Sequence, residues 1–306
     1  MSSMAAKRIS AATFDPEPPP AQDPAALTDW GPPIAGSDVS AVVLKGVPVR
    51  LFQAWEEHSD ALLREYVLTA AGPEQPYSTA DVARAREARM AVARHVARNS
   101  AGAEPASTVD VTLKLAPPVS ATAFSMLQAV LEDAMAWAMR GEFLTLPSLP
   151  EVVALRNWVC EEIINQVAGA RPAPWSGVTV DPSSDLPVPV WEGVADLPAD
   201  RNWLVGDDHN RIIAASPGAL RLLHWDEHEL IGQRIIAVIP PALREAHVAA
   251  FTLATLSGEY RLLGKPLQLN AWTHDGQETP ITLRLERYTD GGKTAYVAWL
   301  DSAETN

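Results

Sequence analysis

The chain holds one cysteine, Cys160, in 306 residues. A single thiol rules out an internal disulfide and any metal site built from a cysteine cluster. No apolar run approaches the ~18 residues that mark a membrane-spanning helix. The opening MSSMAAKRIS also lacks the apolar stretch of a secretory leader. A reducing, cytoplasmic setting without membrane attachment is the expectation. Positive charge is scarce as well: 24 Lys and Arg face 38 Asp and Glu, for a formal net charge of −14. Both halves are acidic, so neither offers the basic footprint that direct nucleic-acid binding needs. Catalytic signatures are missing too. There is no GxxxxGK[ST] phosphate loop, no GxSxG turn, no HExxH and no glycine-rich dinucleotide turn. The acidic pairs Glu56-Glu57 and Glu161-Glu162 are adjacent, which on a helix points them about 100° apart and prevents a shared acid–base task. The chain is therefore not expected to be an enzyme.

What is present divides the chain. Residues 1–38 are rich in Pro and Ala (DPEPPPAQDP, GPPIAGSD) and cannot bury enough surface to offset the entropy of ordering. They are expected to be a disordered tail, with Trp30 as its one candidate for docking a partner. Residues 39–175 read as a mostly helical domain with a short strand pair. Val109, Val111, Leu113 and Leu115 alternate with Asp110, Thr112 and Lys114, which predicts a strand. That strand needs a partner for its backbone groups, and Val39–Val49 is the natural one. Phe52, Trp55, Leu62, Leu63 and Tyr66 recur at helical spacing. Ser78 and Asp81 cap the next helix, whose Arg84, Arg86, Arg89 and Arg94 read as a solvated face. A third helix carries Phe124, Leu127, Val130 and Leu131 and stops at Gly141. Ser148 and Glu151, with Pro150 between them, predict a second capping box opening a fourth helix over 148–169. Trp158 and Trp175 are expected to pack rather than bind. Residues 176–192 form a proline-rich linker.

Residues 193–306 are patterned differently. RNWLVGDDHNRIIAAS predicts two short strands about an Asp208-His209-Asn210 turn. Short helical pieces follow, broken at Gly232 and Pro240, and then a longer helix ends at Gly258. Three alternating runs, 267–272, 281–286 and 295–300, close the region across Asp275-Gly276 and Asp290-Gly291-Gly292. Two strands, a helical insert and three antiparallel strands make a small α+β domain. LVGDDHNRIIAASPGALRLLHW, DEHELIGQ, IPPALREAH and THDGQETPITLRL, in that order and spacing, resemble a PAS domain, with Thr279 where an aromatic is usual. The resemblance implies a five-stranded antiparallel sheet with a helical flap. It also implies a bacterial signal-transduction or regulatory protein, acting on transcription only indirectly. In the helical region LLREYVL, VDVTLKL, LTLPSLPEVVALRNWVCEEI and PAPW are similar to a region that precedes sensor and regulator modules in bacterial, notably actinobacterial, signalling proteins.

PAS domains hold small ligands between sheet and helices. The resemblance makes Leu220, Leu223, Ile231, Ile235, Leu243, His247, Phe251, Leu269 and Trp299 the candidate lining, or the plain core of a ligand-free scaffold. His247 lies in an R-x-x-H step, Arg244 to His247, like the step whose histidine ligates iron in the haem branch of the family. The distal arginine of that branch is absent near LLGKPLQL, so His247 is expected to be structural, with a haem-binding gas or redox sensor through His247 as the alternative. A flavin adduct is not expected, because the region lacks a cysteine. His224 and His228 sit four apart, a metal-binding spacing if helical, but on a helix break they read as an exposed turn. No metal is expected. Trp272 and Tyr296 are expected on the outer face of the sheet, where they and helix 148–169 would form an interface. Partners are expected to be a second copy, a separate signalling protein or a small ligand. No transmitter follows Asp301-Ser302-Ala303, where the family usually carries Asp-x-Thr, so output is expected to pass through surface contacts.

Overall fold

The computed structural model describes residues 40–69, 76–102, 107–115, 121–179, 188–290 and 293–302. The expected tail 1–38 with Trp30, the Gly291-Gly292 turn and Ala303 lie outside the described residues. Among the described residues no helix is long and apolar enough to cross a membrane. The fold is α+β: a mostly helical N-terminal region followed by a five-stranded antiparallel sheet with a helical flap.

The helical region begins with strand β1 (Ser40–Pro48), which pairs antiparallel with β2 (Thr108–Leu115). Val42 opposes Leu113 and Leu44 opposes Val111, and all four are buried. A bulge between Leu44 and Val47 places Gly46 at φ +72°, a conformation that glycine adopts without a Cβ clash. The Gly46 N–H donates to Asp110 Oδ1 at 2.8 Å. Helix α1 (Val49–Thr69) follows at once and buries Leu51, Phe52, Trp55, Leu62, Leu63 and Tyr66. Helix α2 (Thr79–Asn99) opens with the expected box, Ser78 and Asp81 each bonding the other's backbone. Its arginines are not all on a solvated face. Arg89 is buried and reaches Asp60 Oδ1 at 2.8 Å.

Helix α3 (Ala121–Met139) and α4 (Pro150–Val167) complete the region. The second capping box is not formed. Leu149 is the N-cap of α4 and makes no side-chain cap. Ser148 Oγ instead lies 3.1 Å from His58 Nδ1, and Glu151 turns to a partner far along the chain, described below. Trp158 and Trp175 pack on each other with ring centroids 5.5 Å apart, as expected. Cys160 is fully buried, and burial pushes its thiol up to about 12, so it stays protonated and unreactive.

The sheet has strand order β4-β3-β7-β6-β5, every neighbouring pair antiparallel. β3 (Trp203–Asp207) and β4 (Ile212–Ala215) form the first hairpin. Helices α5 (Pro217–Leu223), α6 (Glu227–Leu230) and α7 (Arg244–Ser257) make the flap, joined through short 3-10 turns at Ile235–Val238 and Pro241–Leu243. β5 (Leu267–Trp272), β6 (Glu278–Asp290) and β7 (Lys293–Ser302) close the sheet.

Pairing register assigns the faces, because residues directly opposite each other point the same way. Leu204 opposes Ala298 and Leu283 opposes Leu300, and these side chains meet the flap. Trp203 opposes Trp299 and Val205 opposes Val297, and these face away from it, under Trp191, Val194 and Leu197. The described residues form one compact unit. Ile236 and Val248 of the flap belong to the same apolar core as α1–α4.

Candidate functional site

The features that stand out cluster where the flap meets the helical region. They begin in the β3–β4 turn. The buried Asp207 carboxylate accepts from the backbone N–H of His209 at 3.0 Å and of Arg211 at 2.8 Å, and from Arg211 Nε at 3.0 Å. This side-chain–backbone turn holds Asn210 in the left-handed region at φ +59°, a conformation Asn tolerates better than most residues. Asn210 is buried. Its carbonyl accepts from Ile235 N at 2.9 Å, which ties the turn to the flap. Its Oδ1 lies 3.2 Å from His247 Nε2 on α7.

Arg234, one residue before the 3-10 turn, sits at the centre. Its Nε donates to Glu151 Oε1 and its Nη2 to Glu151 Oε2, each at 2.8 Å. The planar fork matches both carboxylate oxygens at once. Nη1 donates to the His209 carbonyl. The two side chains are 6% and 4% exposed, so the ion pair is dry and crosses from the flap to α4. A second tie is Trp175 Nε1, which donates to Glu245 Oε1 of α7 at 2.6 Å. Between these ties α7 packs along α1, and Val248 enters the helical core.

His247 keeps some accessible surface, but protein atoms enclose its ring. Burial, reinforced by the Arg234 guanidinium, pushes its pKa down to about 4. The imidazole is neutral near pH 7 and stacks near Phe251, ring centroids 6.5 Å apart. Neutral imidazole suits iron, but Nε2 is directed at Asn210 and none of the three clefts described below has His247 in its wall. This arrangement does not fit a haem ligand.

The candidate lining residues separate into groups. Leu220, Leu223, Ile231, Ile235 and Leu269 come together with Leu204, Ile212, Ile281 and Leu300 in the apolar layer between flap and sheet. Phe251 packs against the helical core and also meets the sheet, edge-on to Tyr296 at 5.4 Å. Leu243 is 50% exposed because it ends a 3-10 turn before α7 begins. Trp299 faces away from the flap, opposite Trp203, with the Arg201 guanidinium 4.3 Å over its ring. Tyr296 is correspondingly on the flap side, its hydroxyl donating to Tyr260 Oη at 2.9 Å, and not on the outer face. Trp272 does lie on the face away from the flap, in line with Gln268 and Asn270. His224 is the left-handed cap of α5 and meets Asp275 at 3.0 Å, while His228 lies on α6, so the pair does not share a helix.

The layer is close-packed at β3. A Cβ on Gly206 would lie 3.2 Å from Ile235 Cδ1. Three clefts lie outside this layer. One of about 930 Å³ lies between α1, α2 and the end of α7, and one of about 210 Å³ adjoins it. A third, of about 470 Å³, lies outside α6 beside Trp225, His228 and His274, with Ile231 in its wall. Sequence reasoning missed the pairing of Arg234 with Glu151. The two are 83 positions apart; Arg234 stands in no recognisable motif, and Glu151 reads from its spacing as half of a capping box.

Five antiparallel strands in this order, with the flap inserted between the second and third, decide the fold. The C-terminal region thus has the five-stranded sheet and helical flap that the resemblance to a PAS domain implies. Solved PAS domains are similar to it at low identity. One from Desulfitobacterium hafniense is 15% identical, over 34% of this chain and 93% of that one, with a TM-score of 0.29. One from an HTR-like protein of Haloarcula marismortui is 18% identical, over 34% and 82%, with a TM-score of 0.27. A PAS domain from a two-component sensor histidine kinase is 7% identical, over 36% and 90%, with a TM-score of 0.28. No protein-family model matches the chain, and no curated protein matches it.

Proposed function

We propose that this is a non-catalytic regulatory protein of bacterial signal transduction, in which the PAS-fold region acts through protein–protein contact and through its fixed joint with the helical region. One observation carries the reading. The flap is bonded to the helical region through the dry Arg234–Glu151 pair, and α7 lies against α1. A shift of the flap on the sheet therefore alters the helical surface, and a partner on that surface alters the flap. A ligand or partner biases such an element only by its different affinity for the two arrangements. The close approach of Ile235 to Gly206 favours an apolar layer already filled by side chains over a ligand-holding cavity. The buried, protonated Cys160 and the neutral, enclosed His247 supply no activated nucleophile or general base at pH 7, which supports a role without catalysis. On this reading the protein works without a prosthetic group.

Amide hydrogen exchange on the full chain tests the joint. Trp175→Phe removes one hydrogen bond to α7 and keeps the ring packing. It is expected to speed exchange in α7 together with the facing turns of α1. Faster exchange confined to residues near Trp175 would overturn the coupled reading. Native mass spectrometry of the freshly purified protein checks the rest: a co-purifying small molecule of fixed mass would overturn the filled layer.

A further inference from the structure

A cleft of about 930 Å³ lies not between flap and sheet but at the joint. Its walls are one face of α1, the Arg89-Met90 step of α2, Thr145, and Leu256-Ser257 at the end of α7. The adjoining smaller cleft shares Glu65, Thr145 and Leu256 with it, so the two form one depression that touches both regions.

Its charge leans negative. Glu56, Glu57, Asp60 and Glu65 line it against Arg64 and Arg89. Arg89 is turned inward, within 2.8 Å of Asp60 and 3.5 Å of Glu56. Asp60 is further engaged by Arg64 and Arg86, and Glu65 by the Leu144 and Thr145 backbone. Glu57 meets only the neutral Gln53 amide among its recorded bonds, at 3.0 Å. Burial raises the pKa of Glu56 despite Arg89, the mark of an anion short of compensating charge. The C-terminal end of α7 adds the negative end of its dipole.

The rim is apolar. Leu68 is 81% exposed, Leu144 96% and Met90 40%. Scattered apolar residues on a surface need no explanation. Grouped about an acidic cleft, they match the way a groove receives an amphipathic helix, with apolar anchors flanked by complementary charge.

We propose that this cleft is the docking site for a basic amphipathic helix of a partner protein. Its apolar stripe lies along Leu68, Met90 and Leu144, and its Lys or Arg side chains reach Glu56 and Glu57. Because Leu256 and Ser257 form part of the wall, the docked helix bears directly on α7. That consequence, though not the docking itself, rests on the joint described under Proposed function.

A panel of Leu/Lys amphipathic peptides of about twelve residues, ~18 Å long as a helix, titrated into the full chain, tests the site against matched Leu/Glu controls. The Lys peptides are expected to bind, more weakly as salt rises, and the Glu peptides not. Glu57→Lys and Leu68→Glu change side chains outside the core. Each is expected to weaken binding about tenfold or more, ~1.4 kcal/mol, with an unchanged melting temperature. Absence of binding by every Lys peptide, equal binding of Lys and Glu peptides, or binding that both variants leave intact would overturn the site. A dimer in native mass spectra that Leu68→Glu abolishes would overturn it in favour of a second copy. Binding without altered amide exchange in α7 would keep the site and overturn the joint as its route of transmission.

Discussion

The helical region and the sheet region differ in how they hold themselves together. The first has a continuous core, with Trp55, Phe52, Tyr66, Phe124, Leu113 and Leu155 all buried. The second has two thinner apolar layers, one on each face of its sheet. Two of its buried residues, Ile236 and Val248, are packed into the core of the first. The flap is thus stabilised from both sides, by its own sheet and by helices built from residues far earlier in the chain. The residues that fasten it, Arg234 and Glu151, carry full charges in a dry place. Such a pair adds little net stability over an apolar one but is costly to break, so it fixes geometry more than it adds strength.

If the two regions are one cooperative body, disturbance in one must be felt in the other. The largest effect is expected from Glu151→Ala, which leaves the Arg234 guanidinium buried without its anion. A loss of about 3–5 kcal/mol is expected, in one calorimetric transition spanning both regions. Two separated transitions would break the comparison. Next come two deletions of the same size in different places. Ile236→Ala and Ile281→Ala each cost about 2–5 kcal/mol by loss of contact and a residual cavity. Ile236→Ala is expected to raise amide exchange in α1 as well as the flap, because its side chain lies in the helical core. Ile281→Ala is expected to act mainly on β5–β7. Identical exchange patterns would show that the two cores are not distinct.

The smallest effect is set by pH. His58, in α1, and His247, in α7, both have folded pKa values pushed down to about 4 by burial, from an ordinary 6.5. The unfolded chain binds protons first as pH falls, so both histidines contribute stability fully above pH 6.5, and it is lost progressively down to pH 4. At pH 5.5 the loss is about 1.4 kcal/mol for each. His58→Gln and His247→Gln are each expected to flatten the slope of stability between pH 6.5 and 4, followed by urea titration. If one body is melting, both substitutions flatten the same transition.

Much of the fold was legible because periodicity and turn chemistry are local. The Ser78–Asp81 box and the hairpins of the sheet followed from residues within a few positions of one another, and the local alternation of β2 marked a strand whose backbone needed β1 as a partner. The candidate site was less so, and the reasons differ. In β7 both alternating sets carry a large aromatic, Tyr296 and Trp299, so alternation alone did not say which set met the flap. The register with β3 did. Ser148 and Glu151 have the spacing of a cap, but a buried arginine from the flap is a stronger partner for the carboxylate than a helix end. Arg89 reads as a surface charge from its helical spacing and is buried only because Asp60 of α1 awaits it. Each miss concerns a residue whose partner lies far off in the chain.

The contact at Gly206 leaves little slack between β3 and the flap at this point, since a methyl there would press on Ile235. Ile235 is the covalent neighbour of Arg234. Any lifting of the flap from β3 therefore pulls on the guanidinium through a lever one peptide long, without a compliant loop to absorb the motion.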